Sequence, residues 1–293
     1  MDAIIKKFKE YIGIYKKAEN FDDKVLYALD IIKYYHFFII EEKNFSMNMI
    51  DDFVANLRLK DSFFNAIEND FYNNPKDLPT FSKEEYLFMK NLLKYIKFEN
   101  ISNNKKIIDK KLLLNYLNNS IIKKDMESIN IFYNYKLSNS YCLKLTNGKI
   151  IILENKNILT LLHEVVHTRV NESKFDEFPS IFSEISLSSY YKLGDYFKRI
   201  NDIKEFQKTT LKKYKKLKNK YFLELLRYVY GLVLSIAFVN INGNNSKNID
   251  KIIEITNNDS EMNVFELLKK LNINENDIIN GMNNYKKILT KDW

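Results

Sequence analysis

Glycine and proline are scarce in this chain, and this scarcity constrains its fold more than any other feature. Only 6 glycines and 3 prolines occur in 293 residues. Both residues break regular structure, so long uninterrupted elements are expected. Apolar residues recur at three- and four-residue spacing in "VLYALDIIKYYHFFII" and "KEEYLFMKNLLKYIKF", as they do on one face of a helix. The sequence therefore predicts a mainly α-helical protein.

One stretch near residue 130 has a different pattern. The segments "INIFYNYKL" and "SYCLKLTNGKIIIL" are rich in residues that favour strands, and Asn147 and Gly148 form a hairpin signal between them. We expect a small β-hairpin or sheet here, followed from residue 157 by helices to the end. The expected organisation is an N-terminal helical region at 1–127 and a second region at 128–293, within one compact unit.

Composition and charge narrow the classes of protein. The net charge is +8, but only four of the 46 basic residues are arginine, the residue preferred at sites that read phosphates or bases. Nucleic acid is therefore not an expected partner. Cys142 is the single cysteine, so no intrachain disulfide can form. The N-terminus lacks the pattern of a signal peptide. The apolar run at 228–241 is shorter than the about 20 residues of a membrane span. A cytoplasmic protein with no membrane partner is expected, and its oligomeric state stays open.

The stretch "ILTLLHEVVHTRV" (158–170) carries the strongest chemical signal. His163 and His167 lie one helical turn apart on one face, so both imidazoles can converge on one zinc ion. Glu164 is rotated about 100° from His163, beside the metal rather than on it. The spacing predicts two ligands and a general base, the pattern of zinc peptidases. The remaining histidine, His36, lies in an apolar helical stretch and is interpreted as a core residue.

The third ligand must be a carboxylate, because no other histidine is near. If the metal helix continues about five residues past His167, turns and returns at 1.5 Å per residue, the chain comes back near residues 180–185. Glu184 stands there and is the preferred ligand. Glu177 is held in reserve, because ten residues after His167 leave little room for a helix to go out and return. Glu172 is about 140° off the ligand face.

Three segments resemble the thimet oligopeptidase and oligoendopeptidase F group of gluzincin metallopeptidases. They are "GKIIILENKNILTLLHEVVHTRVN", "EFPSIFSEIS" and "RYVYGLVLSIAF", all within about residues 145–240. The resemblance implies a zincin-like helical core and one Zn²⁺ per chain, and its register again favours Glu184. It also implies that Tyr228 or Tyr230 hydrogen-bonds the tetrahedral intermediate. Val166 stands where members of the family commonly have glycine.

Together these features predict a zinc-dependent metallopeptidase that cleaves short or unfolded peptides. Zinc would polarise a water molecule, and Glu164 would accept its proton and pass it to the leaving amine. The strand at 149–153 could add an extended peptide at an exposed edge, with Lys149, Ile150, Ile151 and Ile152 as substrate-binding residues. Two alternatives stay open. One is a degenerate metallopeptidase fold used for binding, and the other is a helical polyanion-binding protein that uses "KKYKKLKNKY" (212–221).

Overall fold

The structure is a computed structural model in which helices make up most of the described chain. This confirms the mainly α-helical fold predicted from the low glycine and proline content. The structure describes residues 2–20, 23–32, 80–96, 109–133, 140–145, 148–153, 157–171, 173–193, 200–208 and 220–290, together with positions 54, 55, 57, 61 and 64. His36 and most of the basic stretch at 212–221 lie outside these residues, so their predicted roles stay predictions.

The helices and strands follow one another with short connections. In chain order the helices are α1 (Asp2–Lys17), α2 (Lys83–Leu92), α3 (Lys110–Tyr116), α4 (Ile122–Ser128), α5 (Ile158–His167), α6 (Glu177–Tyr190), α7 (Ile200–Gln207), α8 (Lys220–Asn242), α9 (Lys247–Asn257), α10 (Val264–Leu271), α11 (Glu275–Asn283) and α12 (Tyr285–Thr290). The strands are β1 (Asn130–Tyr133), β2 (Tyr141–Leu145) and β3 (Gly148–Leu153). Short 3₁₀ turns at Leu93–Tyr95 and Leu117–Asn119 extend α2 and α3.

The chain forms two compact units. The first comprises Met1–Lys76 and Leu143–Ile150, and the second comprises Asp77–Cys142 and Ile151–Trp293. These divisions lie at other positions than the predicted boundary after residue 127. Within the first unit, α1 buries Tyr15, whose hydroxyl donates to Asp61 Oδ2 at 2.8 Å. The candidate site described below lies wholly within the second unit.

Helix α8 is the core of the second unit. It packs against α6, α7, α11 and α12, and its side chains from Phe222 to Val239 are mostly buried. The stretch Phe222–Asn242 is long and apolar enough to cross a membrane, yet 83% of its most apolar part is buried inside the protein. Burial on nearly all sides explains why this helix lacks a polar face, since a buried helix can be hydrophobic all round.

The strand order is β1-β3-β2, and this order corrects one prediction. Strand β3 was expected to offer an exposed edge to substrate through Lys149, Ile150, Ile151 and Ile152. Among the described strands it is instead the middle one, hydrogen-bonded on both sides, so no edge is left for strand addition. Ile151 is fully buried in the core. Asn147, in the predicted hairpin turn, lies outside the described residues.

Candidate metal centre

Helix α5 carries both histidines of the predicted motif. It begins where the Asn157 side chain accepts a hydrogen bond from the backbone N–H of Leu159 at 2.9 Å, which satisfies one of the free N–H groups of the first turn. Its apolar positions are buried, so the helix is fixed on the core. His163 and His167 share one face, and their Nε2 atoms are 3.0 Å apart. The two imidazoles therefore converge on one point, as their spacing predicts.

A carboxylate oxygen of Glu177 completes a cluster with the two histidines. Glu177 is the first residue of α6, and its Oε2 atom lies 3.4 Å from His163 Nε2 and 3.5 Å from His167 Nε2. One ligand atom from each of the three residues lies within 4.8 Å of the others, so the group could hold a metal ion. The Oε2 atom is buried and has no hydrogen-bond partner. A buried acceptor without a partner calls for an explanation, and a cation at this point provides one.

The triangle of ligand atoms fits a tetrahedral ion. Bonds of about 2.0–2.2 Å place neighbouring ligand atoms of a tetrahedral zinc ion about 3.3–3.6 Å apart. The two distances from Glu177 Oε2 to the histidine nitrogens, 3.4 and 3.5 Å, fall in this range. The nitrogen–nitrogen distance of 3.0 Å is slightly shorter. Two neutral imidazoles and one carboxylate are also a ligand set that zinc accepts in catalytic sites.

Glu184 occupies a different place from the one predicted. Its Oε1 atom is in close contact with Nδ1 of His163, the ring nitrogen that does not face the cluster. A carboxylate on this second nitrogen fixes the ring orientation and tautomer of a metal-binding histidine. The preference for Glu184 as third ligand is therefore not retained, and Glu177, the reserve residue, takes that place. The two glutamates are seven residues apart on α6, so both face α5.

Glu164 lies beside the three candidate ligands and is not one of them. Its side chain is buried, and burial raises the pKa of its carboxyl group, while the imidazoles of His163 and His167 lower it. The carboxylates of Glu177 and Glu184 also raise that pKa. Glu164 is therefore within electrostatic range of all four residues, which is the location predicted for a general base.

The early end of α5 explains why Glu177 reaches the histidines. The helix stops at His167, whereas the predicted geometry extended it by about another turn. Asn257, at the end of α9, accepts a hydrogen bond from the backbone N–H of Asn171 and donates one to the carbonyl oxygen of Arg169, both at 2.7 Å. These bonds hold the backbone in a turn just beyond the helix. The chain therefore reverses earlier, and α6 begins level with the histidines.

Two residues that the sequence analysis did not single out as site residues also border the cluster. Arg227 of α8 pairs through two nitrogens with the carboxylate of Asp176, with a distance of 3.0 Å from Nε to Oδ1. Asp176 directly precedes Glu177. One turn along α8, a Cβ atom on Gly231 would lie 3.4 Å from the backbone carbonyl group of Glu177. The rarity of arginine in a lysine-rich chain is the sequence signal that could have identified Arg227.

The two predicted catalytic tyrosines differ in their surroundings. Tyr230 is fully buried; its hydroxyl donates to the carbonyl oxygen of Glu85 at 2.6 Å, and its ring stacks on Phe81. The catalytic role predicted for Tyr230 is not retained, because this hydroxyl is engaged within the core. Tyr228 is half-buried and packs against the core beside Arg227. Its catalytic role stays a prediction.

Comparison with known proteins adds no relative to this picture. No family model, no curated protein and no solved structure matches the chain. The functional interpretation therefore rests on the geometry of the cluster and on the resemblance of its short motifs.

Proposed function

We propose that this chain is a metallopeptidase whose metal ligands are His163, His167 and Glu177. The observation that carries the proposal is the convergence of three ligand atoms beside a separate buried carboxyl group, that of Glu164. A cluster used only for structure needs no such neighbour, and structural zinc sites usually have four protein ligands. A bound zinc ion would supply a Lewis acid and would lower the pKa of a water molecule to about 7.

Four residues of the chain have distinct tasks in this proposal. Glu164 accepts a proton from the attacking water as the new C–O bond forms, and returns it to the amine nitrogen as the C–N bond of the peptide breaks. Glu184 accepts from His163 Nδ1, so that the Nε2 atom of His163 faces the cluster. Tyr228 is the proposed donor to the oxyanion of the tetrahedral intermediate, and Arg227 is its neighbour on α8.

The finer fold and substrate assignments belong to the same proposal. Helices α5 and α6 and the adjacent sheet form the zincin-like core, with β2 and β3 joined as a hairpin through Asn147 and Gly148. The substrates are short or unfolded peptides, as the resemblance to oligopeptidases implies. Binding by addition to β3 is left out, because β3 is the middle strand.

Substitution of Glu164 by glutamine tests the proposal most directly. The full chain is loaded with zinc, its metal content is measured, and it is assayed on a quenched fluorescent peptide library. Glu164→Gln should keep the zinc stoichiometry of the parent and lose about 10²–10⁴-fold in activity, the usual contribution of a general base. Glu254→Gln, the same change at an exposed position of α9, is the matched control and should leave activity unchanged.

Three results would count against the proposal. Parent protein without bound zinc would exclude the metal site. Zinc-loaded parent without any peptidase activity would favour the degenerate, binding-only alternative. Cleavage by Glu164→Gln at the rate of the parent would exclude Glu164 as the base.

A further inference from the structure

Arginine is rare in this chain, and the described arginines lie next to the candidate metal centre. Lysine supplies nearly all of the 46 basic residues, and arginine only four. Arg169 is two residues after His167 and forms a two-point pair with Asp125, with Arg169 Nη2 at 2.7 Å from Asp125 Oδ1. Arg227 forms a two-point pair with Asp176. In a chain that otherwise uses lysine, arginine at these positions indicates a need for its planar fork.

The pair formed by Arg227 is well shielded from solvent. The side chains of Arg227 and Asp176 are 11% and 13% exposed, against 39% for the side chain of Arg169. Charged hydrogen bonds are stronger when water is excluded, and a fork fixes direction as well as distance. Asp176 is therefore held in one position relative to α8, and the next residue in the chain is the candidate ligand Glu177.

The same face of α8 contacts the first turn of α6 at two further points. Gly231 follows Arg227 by one turn, and a Cβ atom there would lie 3.4 Å from the backbone carbonyl group of Glu177 and 2.5 Å from Ile181 Cδ1. Ser235, another turn on, reaches the carbonyl oxygen of Phe178 at 3.5 Å. Residues spaced by four along α8 thus form a continuous contact with the segment that carries Glu177.

We infer that Arg227 is a positioning residue for the third metal ligand. By holding Asp176 at two points, it fixes the start of α6 and keeps the Glu177 carboxylate 3.4 and 3.5 Å from the histidine nitrogens. This inference rests on the proposed metal site, and assigns to α8 a task other than supplying a tyrosine. Lysine cannot replace Arg227 here, because a single ammonium group holds a carboxylate without fixing its orientation.

Arg227→Lys tests the inference, because it keeps the charge and removes the fork. Asp176→Asn is the second variant and removes the charge from the other partner. Gly281→Ala is the control: a Cβ atom there would lie 3.1 Å from Cα of Ala237 on α8, so it disturbs the packing of the same helix at a contact with α11 rather than with α6. Zinc affinity is measured by competition with a chromophoric chelator, and global stability by urea unfolding.

A second readout needs no metal. The chain has three histidines, so the ring signals of His163 and His167 can be resolved by heteronuclear NMR at a fixed pH. Arg227→Lys and Asp176→Asn should each lower zinc affinity about 10-fold, as losses next to the ligand shell do. They should also shift the signals of both rings in metal-free protein. Gly281→Ala should lower the unfolding midpoint without either effect.

The outcomes separate the two proposals. If zinc affinity and ring signals of Arg227→Lys match the parent, or if Gly281→Ala changes them as much, positioning by Arg227 is overturned. If the parent binds no zinc, the proposed function fails. In that event, ring signals that shift in Arg227→Lys and not in Gly281→Ala still support the positioning of Glu177 against the histidines.

Discussion

The assignment of Glu177 as ligand and Glu184 as the partner of His163 can be tested with one substitution at two positions. Both glutamates lie on the face of α6 that is turned to α5, and glutamine keeps their size. At position 177 the change removes the anionic oxygen that lies nearly equidistant from both Nε2 atoms. At position 184 it removes a charge but keeps a carbonyl oxygen that can still accept from His163 Nδ1.

The expected magnitudes follow from these contacts. Loss of a partner behind a metal ligand typically lowers metal affinity about 10–100-fold, or about 1.4–2.7 kcal/mol. Because the amide of Glu184→Gln can retain the hydrogen bond, we expect a loss near the lower end, about 10-fold. Glu177→Gln removes a ligand itself and should lower affinity by more than about 100-fold, beyond the range for such partners.

Zinc affinity would be measured by chelator competition at one fixed pH, since ligand protonation makes affinity pH-dependent. Cobalt substituted for zinc would report the ligand set through its visible absorption. Glu177→Gln should change the band positions and intensity, whereas Glu184→Gln should leave them close to those of the parent. The reverse result, with Glu184→Gln abolishing binding and Glu177→Gln retaining the parent spectrum, would refute the assignment and restore the ligand predicted from sequence.

Three further predictions concern the framework around the site. Asn257→Ala removes both hydrogen bonds that hold the turn after α5, so it should cost about 1–3 kcal/mol in urea unfolding and lower zinc affinity; unchanged affinity would show that the turn does not set the ligand position. Tyr230→Phe leaves the carbonyl oxygen of Glu85 without this donor, and should cost about 1–3 kcal/mol of stability with no change in the turnover of zinc-loaded protein; a selective loss of turnover would reinstate the catalytic role. Lys174→Met removes the ammonium group that pairs with the buried Glu85 carboxylate at 2.9 Å, and should cost about 3–5 kcal/mol in the same unfolding assay; a smaller cost would mean that the two backbone N–H groups bound to Glu85 suffice.

The parts of this protein that were predictable from sequence are those set by local periodicity. The spacing of His163 and His167 places their rings on one face of any α-helix, whatever the rest of the fold. The 3.0 Å distance between their Nε2 atoms follows from that spacing. The scarcity of glycine and proline likewise predicts long helices, because it acts through each residue's own backbone.

Periodicity cannot distinguish residues that share a face but differ in their neighbours. Tyr230 lies on a helix whose pattern suits a tyrosine that lines a cleft as well as one that fills a core. Its partner, the carbonyl oxygen of Glu85, is 145 residues away in sequence. Strand β3 shows the same limit, since its apolar run fits either an edge or a middle strand. Only its pairing with both β1 and β2 decides the matter.

The third ligand depends on where α5 ends, and that end is set by a distant residue. No glycine or proline follows His167 closely, and the nearest, Pro179, lies beyond Glu177, so the local sequence gives no reason for the helix to stop. The carbonyl group of Arg169 would need a partner if the helix ended there unaided. Asn257, 88 residues further on, supplies that partner. Because one asparagine on α9 shortens α5, the carboxylate that meets the histidines is the one ten residues after His167 rather than the one seventeen residues after it.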